Sequence, residues 1–294
     1  MLTNKFKQMK EWIAQSDLVL VGLGEEWVLS DKDILDDLEQ KNKLLRDIMQ
    51  HAIEMEKKFL RELCIAYYYK NYIPSKLQIA YKNLHQLICH KNYYIVSLTV
   101  DSYLDQNGFQ LEKLVNPCGT YEFLQCENGC DDILIPADNI LQDFEAVLKR
   151  QEEIVLCDST LEQIITECEN CMQKYRCENC KEQMVFNQLG CGCYVEKGYL
   201  ENWQKYMKWL QGTLNKKLCV MEFGVGMKLP SVIRFPFEKT VFYNQKSKLI
   251  RMHEKYYQIN QEVSERAMRC ECNAVQFFCT AMVEEQEWVQ VKSI

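Results

Sequence analysis

DLVLVGLGEE, residues 17–26, decides how the rest of the chain is read. Four aliphatic residues, Leu18 to Val21, lead into Gly22, Leu23 and Gly24, and two glutamates follow. A continuous apolar run too short for a buried helix, closed by glycine, reads as a strand covered on both faces and ending in a tight turn. The pattern recurs in KLCVMEFGVG, residues 217–226. YYIVSLTVDSYL (93–104) is a second buried strand, FQLEKLVNP (109–117) ends a third, and KSKLIRMHEKY (246–256) supplies another. Helical periodicity fills the intervals: residues 3–16, Asp31 to Lys70, the stretch after Pro74 to about His90, and GYLENWQKYMKWLQGTL (198–214). Strands alternating with helices predict an α/β fold, a Rossmann-like parallel sheet with helices on both faces.

The expected organisation is a large domain from residues 1–120 and 195–260, interrupted by a helical insertion at 31–90. A small zinc-binding module occupies 121–194, and 261–294 form a C-terminal tail. In the helix 198–214, the stripe Leu200, Trp203, Met207 and Leu210 has helical spacing and is expected to face the core.

The chain has 294 residues, enough for one large and one small core, and 47% of them are hydrophobic against 26% charged. No apolar run is long enough to span a bilayer, and the N-terminus reads as an amphipathic helix rather than a signal peptide, so a cytoplasmic location and no membrane partner are expected. A net charge of −7 argues against nucleic acid, whose phosphates need a basic face. The sixteen cysteines at this length point to reduced thiols and metal rather than a disulfide scaffold.

Cys126 and Cys130 form a Cys-x3-Cys pair, and Cys177 and Cys180 a Cys-x2-Cys pair followed by strand-like QMVFN. Two short-spaced pairs supply the four thiolates of a closed, structural zinc site. Cys168 and Cys171 repeat the same CENC letters and are the rival second pair. Each glycine turn, Gly22 with Gly24 and Gly224 with Gly226, has the form that brings backbone N–H groups to a dinucleotide phosphate, and equally the form of a packing turn. Glu25 and Glu26 would repel such a phosphate and are expected instead to stabilise the start of the next helix. Arg234, between apolar residues and prolines in LPSVIRFPFEK (229–239), is set either to recognise a phosphate or carboxylate or to pair with a neighbouring acid.

The order of these pieces resembles the sirtuins, the NAD-dependent protein deacylases, over roughly residues 15–255. That family has a Gly-Ala-Gly turn, a Thr-Gln-Asn-Ile-Asp segment, a His-Gly catalytic turn, a four-cysteine zinc ribbon, a Gly-Thr-Ser turn and a final strand ending in Asn. By resemblance Gly22 and Gly24 match the first turn, and Asp101 matches the aspartate that holds the nicotinamide carboxamide. Gly119 and Thr120 follow the catalytic position, and Gly224 opens the Gly-Thr-Ser turn. The departures are Leu98 for Gln, Thr99 for Asn, Cys118 for the histidine base, Val225 and Gly226 for Thr and Ser, and His253 about where the closing Asn falls.

The resemblance implies a bound NAD or ADP-ribose, contacts from Gly22, Gly24, Thr99, Asp101, Gly224, Gly226 and His253, and a protein or acylated-peptide substrate. It implies lysine deacylation or ADP-ribosyl transfer at a degenerate site with Cys118 in the catalytic position, or a non-catalytic module that binds NAD, ADP-ribose or a protein. A thiol at about 8.5 is a poorer base than an imidazole at about 6.5. Cys118 is therefore a nucleophile or redox-sensitive thiol if its pKa is lowered, or a small residue filling a turn.

Overall fold

The computed structural model describes residues 2–101, 103–151 and 158–280. The two aliphatic runs fold as expected: β1 (Leu18–Leu23) is buried at every position, and it carries beside it a second strand, Leu218–Phe223, equally buried. Before β1, α1 (Leu2–Ala14) buries Phe6, Met9 and Ile13 on one stripe.

The insertion after β1 is four helices, α2 (Asp31–Lys41), α3 (Lys43–Glu54), α4 (Lys58–Asn71) and α5 (Ser75–Ile88). Ser30 starts α2 through a capping box with Asp33, and the Asn42 side chain accepts from Leu45 N–H to start α3. Next come β2 (Asn92–Ser97), α6 (Tyr103–Gln106), β3 (Leu114–Val115), β4 (Gly119–Cys126) and β5 (Ile135–Pro136). They are followed by α7 (Asp138–Gln151), α8 (Asp158–Gln173), β6 (Met184–Gln188) and α9 (Lys197–Gln211). The strand Leu218–Phe223 is β7, and α10 (Arg234–Tyr243), β8 (Lys248–Met252), β9 (Ala267–Cys270) and a helix over residues 274–280, α11, complete the described chain. The third strand shrinks to Leu114–Val115 because Leu111–Lys113 close into a 3₁₀ turn.

Six strands form one parallel sheet in the order β3-β2-β1-β7-β8-β9. Leu18, Leu20, Leu218 and Val220 face one core with Tyr206 of α9 and Ile233, Phe237 and Val241 around α10. Val19, Val21, Cys219 and Met221 face the other, with α1, α5 and Phe277 and Phe278 of α11. The strand order reverses at β1, which has β2 on one side and β7 on the other, so the crevice beyond their carboxyl ends is the topological switch point where such sheets bind ligands.

A second, antiparallel sheet, β5-β4-β6, carries the cysteine pairs. The helical insertion is not separate from it. Phe59 of α4 meets Phe186 of β6 with ring centroids 5.7 Å apart, Tyr67 meets Phe144 of α7 at 5.5 Å, and Lys57 pairs with Glu169 of α8 at 2.5 Å. Insertion and module thus form one lobe over the sheet.

Two expectations change. Residues 261–280 are part of the large domain rather than a tail: β9 is the sheet's last strand and α11 fills the core, while 281–294 lie outside the described residues. On α9, Leu200 and Met207 are 41% and 38% exposed, and the helix packs through Trp203, Tyr206 and Leu210, an i, i+3, i+7 stripe turned from the expected one.

Candidate dinucleotide cleft and cysteine cluster

The two glycine corners meet. A Cβ on Gly24 would collide with the backbone of Gly224 and Val225, so only glycine lets the β1 and β7 turns touch. Gly24 N–H donates to Phe223 O at 3.0 Å, and Gly224 takes φ +66°, a conformation glycine adopts freely. Gly22 takes the packing alternative. It lies inside β1, opposite Val96 and Glu222, and Ile233 and Phe237 cover its α-carbon, so it admits α10 to the sheet.

Glu25 and Glu26 do stand in the first turn of the next helical element, the 3₁₀ turn Glu25–Trp27, while α2 beyond it is capped by Ser30; neither side chain caps the 3₁₀ turn. Their carboxylates cross the crevice. Glu25 accepts from Lys228 N–H at 2.9 Å; Glu26 accepts from Glu254 N–H at 2.8 Å and Ala274 N–H at 2.7 Å. The Glu25 carboxylate lies against the α-carbon of Gly226, and the Glu26 side chain against that of Gly224. His253 Nδ1 accepts from Lys255 and Tyr256 N–H at 2.9 and 3.1 Å, which puts the ring proton on Nε2. Burial lowers the His253 pKa against the opposing pull of Glu26 and Glu25, so the 3.3 Å approach of Glu26 to Nδ1 is a contact with a neutral ring and not an ion pair.

Arg234 takes neither expected part: its guanidinium is buried and donates to the carbonyls of Val225, Tyr256 and Gln258, tying the second glycine turn to the chain after β8. Arg251 makes the buried ion pairs, to Glu222 at 2.6 Å and Glu238 at 2.8 Å.

Thr99 and Asp101 follow β2 and are buried. Thr99 Oγ1 lies 2.8 Å from Ser97 Oγ, and Asp101 accepts from Tyr103 N–H at 2.9 Å with Tyr81 Oη at 3.4 Å. Burial raises Asp101 to about 7, against the hydrogen bonds that favour its ionised form.

Cys118 comes to the cleft. Gly119 beside it takes φ +80° with its α-carbon against Asn187 O, and Leu189 N–H donates to Cys118 O at 2.8 Å, so the turn is fixed on β6. Cys118, Glu25, Lys228, Arg61, Tyr69 and Tyr121 are among the residues lining one cleft of about 510 Å³ between the sheet and the small lobe. Burial pushes the thiol up to about 11, with Lys228 only partly opposing it. A thiol in that range is protonated near neutrality and is neither base nor thiolate nucleophile.

Cys126, Cys130, Cys177 and Cys180 converge, each pair of Sγ atoms lying within 4.8 Å. Cys130 Sγ is 3.4, 3.2 and 3.8 Å from those of Cys126, Cys177 and Cys180. Tetrahedral zinc with bonds of about 2.3 Å needs edges of about 3.8 Å, so this donor set fits zinc with little movement. Cys168 and Cys171 are buried in the apolar core on α8, where they pack as small hydrophobes.

Lys228, Glu254 and Ala274, whose N–H groups line the crevice, have no signal in the sequence, because backbone donors carry no residue type. The adjacent pair of glutamates after the glycine turn was the one available sign.

A Rossmann-like parallel sheet with glycine corners at its switch point, joined to a four-cysteine module across a cleft, defines a two-lobed α/β architecture. More particularly, the fold is that of the sirtuins. A Sir2 homologue solved with NAD matches over 96% of this chain and 94% of its own, at 10% identity and a TM-score of 0.52. A Sir2 protein bound to a myristoylated histone peptide matches over 98% and 99%, at 11% identity and 0.50. No protein-family model matches the chain. In sequence it is similar to a protein ADP-ribosyltransferase of Staphylococcus aureus, 20% identical over 200 residues, 67% of this chain and 58% of that protein. It is also similar to a probable bifunctional ADP-ribose hydrolase/ADP-ribosyltransferase of Fusarium oxysporum f. sp. cubense, 25% identical over 163 residues, 54% and 25% of the two chains. The match therefore spans less than two thirds of either relative.

With Glu25 and Glu26 as they stand, a diphosphate does not fit between the two glycine turns. Its oxygens would lie against two like charges, and the N–H groups of Lys228, Glu254 and Ala274 are already taken by the carboxylates.

Proposed function

We propose that this is a divergent sirtuin-fold protein of ADP-ribosyl chemistry, a protein ADP-ribosyltransferase rather than a lysine deacylase. The observation that carries this choice is Cys118. The position that resembles the deacylase base holds a buried thiol raised to about 11, which cannot take a proton near neutral pH. The ADP-ribosyltransferase descriptions of both sequence relatives favour the same class. NAD or ADP-ribose is the ligand class this reading implies, and a protein side chain is the acceptor. Zinc on Cys126, Cys130, Cys177 and Cys180 is structural, since four protein thiolates leave no open position for water or substrate.

The test is to incubate the protein with labelled NAD, a mixture of candidate acceptor proteins and an acetyl-lysine peptide. Label transferred to protein with the peptide left acetylated is the expected result. A deacetylated peptide without protein labelling would contradict it.

A further inference from the structure

We infer that Glu25 and Glu26 form an internal plug that keeps the diphosphate cradle closed, so that a ligand with a diphosphate binds only when both side chains swing out. This rests on the reading of the crevice as an ADP-ribose site. A carboxylate has the acceptor chemistry of a phosphate edge: negative charge and paired oxygens. Here the chain supplies two from consecutive residues just past the first glycine corner. They bridge three parts of the chain: the turn after β7 through Lys228, the segment after β8 through Glu254, and the start of α11 through Ala274.

The packing shows that the contact is built. The Glu25 carboxylate occupies space that any side chain at residue 226 would need, and the Glu26 side chain does the same at residue 224. Glu26 is nearly buried, its side chain 9% exposed, which is not the behaviour of a solvated surface acid. Arg234 holds the Val225 carbonyl, so the rim is tied down on that side, and opening the plug means breaking the three backbone hydrogen bonds that the two carboxylates accept.

A plug that must open taxes affinity by the fraction of molecules already open: closed in about nine of ten, it weakens apparent binding about tenfold. Titration calorimetry with ADP-ribose on the wild type, Glu25→Ala/Glu26→Ala and Glu25→Gln/Glu26→Gln tests this. The alanine pair clears the space, and the glutamine pair keeps the shape while removing the charge. The expected result is that the alanine variant binds at least about tenfold more tightly than the wild type, with the glutamine variant also tighter than wild type. Equal affinities in all three proteins overturn the inference, and so does absence of binding in all three when thermal melts show them folded. If the alanine variant does not fold, the glutamine variant decides: binding no tighter than wild type overturns the plug. Tighter binding by the variants with no label reaching any acceptor protein would leave the plug standing and remove the transferase reading alone.

Discussion

Cys118 and Asp101 show how burial sets the chemistry of single residues here. A thiol at about 11 has roughly two orders of magnitude less thiolate at neutral pH than one at about 8.5. Iodoacetamide at pH 7 should therefore modify Cys118 at least about a hundredfold more slowly than exposed Cys89, as read by peptide mass spectrometry; equal rates would contradict the assignment. Asp101 is raised to about 7 in the folded protein, against about 3.9 in an unfolded chain. Between those values the folded state holds the proton and the unfolded state has lost it, so stability falls as pH rises, by at most about 1.4 kcal/mol per pH unit. Below about 4 both states are protonated, and above about 7 neither is, so the effect is confined to that window. Asp101→Asn should remove this slope in denaturant titrations at pH 4.5 and 7, gaining stability relative to wild type as pH rises. The residue types at both positions were legible in the sequence. Their environments were not, because Tyr81 and Lys228, which meet them, are brought there by folding.

At the scale of elements, the strands and cysteine pairs could be read because their signals are local. Apolar runs ending in glycine gave β1 and β7, and each cysteine pair sits in a single turn. What failed depended on neighbours. Gly22 and Gly24 look alike in sequence, but α10 covers the first and the β7 turn meets the second. Four-residue β9 is too short for a periodic signal and is recognised only by its pairing with β8. These contacts set the expected cost of substitutions. Gly119→Ala faces both a positive φ and the Asn187 carbonyl and should lose about 1–3 kcal/mol in denaturant unfolding. Arg251→Met would leave Glu222 buried without its partner, and a loss of about 3–5 kcal/mol is expected; a change under about 1 kcal/mol would show that the pair is not buried as described.

At the scale of the molecule, the two lobes meet at a cleft that Glu25, Leu98 and Lys228 line beside the sheet and Arg61, Tyr69 and Tyr121 line on the side of the lobe that carries the cysteine cluster. The boundary drawn between helical insertion and zinc module does not survive as a physical division, because α4 shares a core with α7, α8 and β6. Metal removal should consequently disturb that whole lobe. Structural zinc in small peptides contributes about 10–16 kcal/mol of apparent binding energy. Elemental analysis should give close to one zinc per chain, and a strong chelator should expose Tyr67 and Phe59 of α4 to hydrogen exchange or proteolysis along with β4 and β6. The touching turns at Gly24 and Gly224 are, as we propose, a diphosphate cradle that the chain's own acids close. Diffraction from crystals of Glu25→Ala/Glu26→Ala grown with ADP-ribose measures this most directly. Diphosphate density between Gly24 and Gly226, within hydrogen-bond reach of Lys228 N–H, is expected; a crevice that stays empty at saturating ligand, or density elsewhere on the molecule, would contradict it.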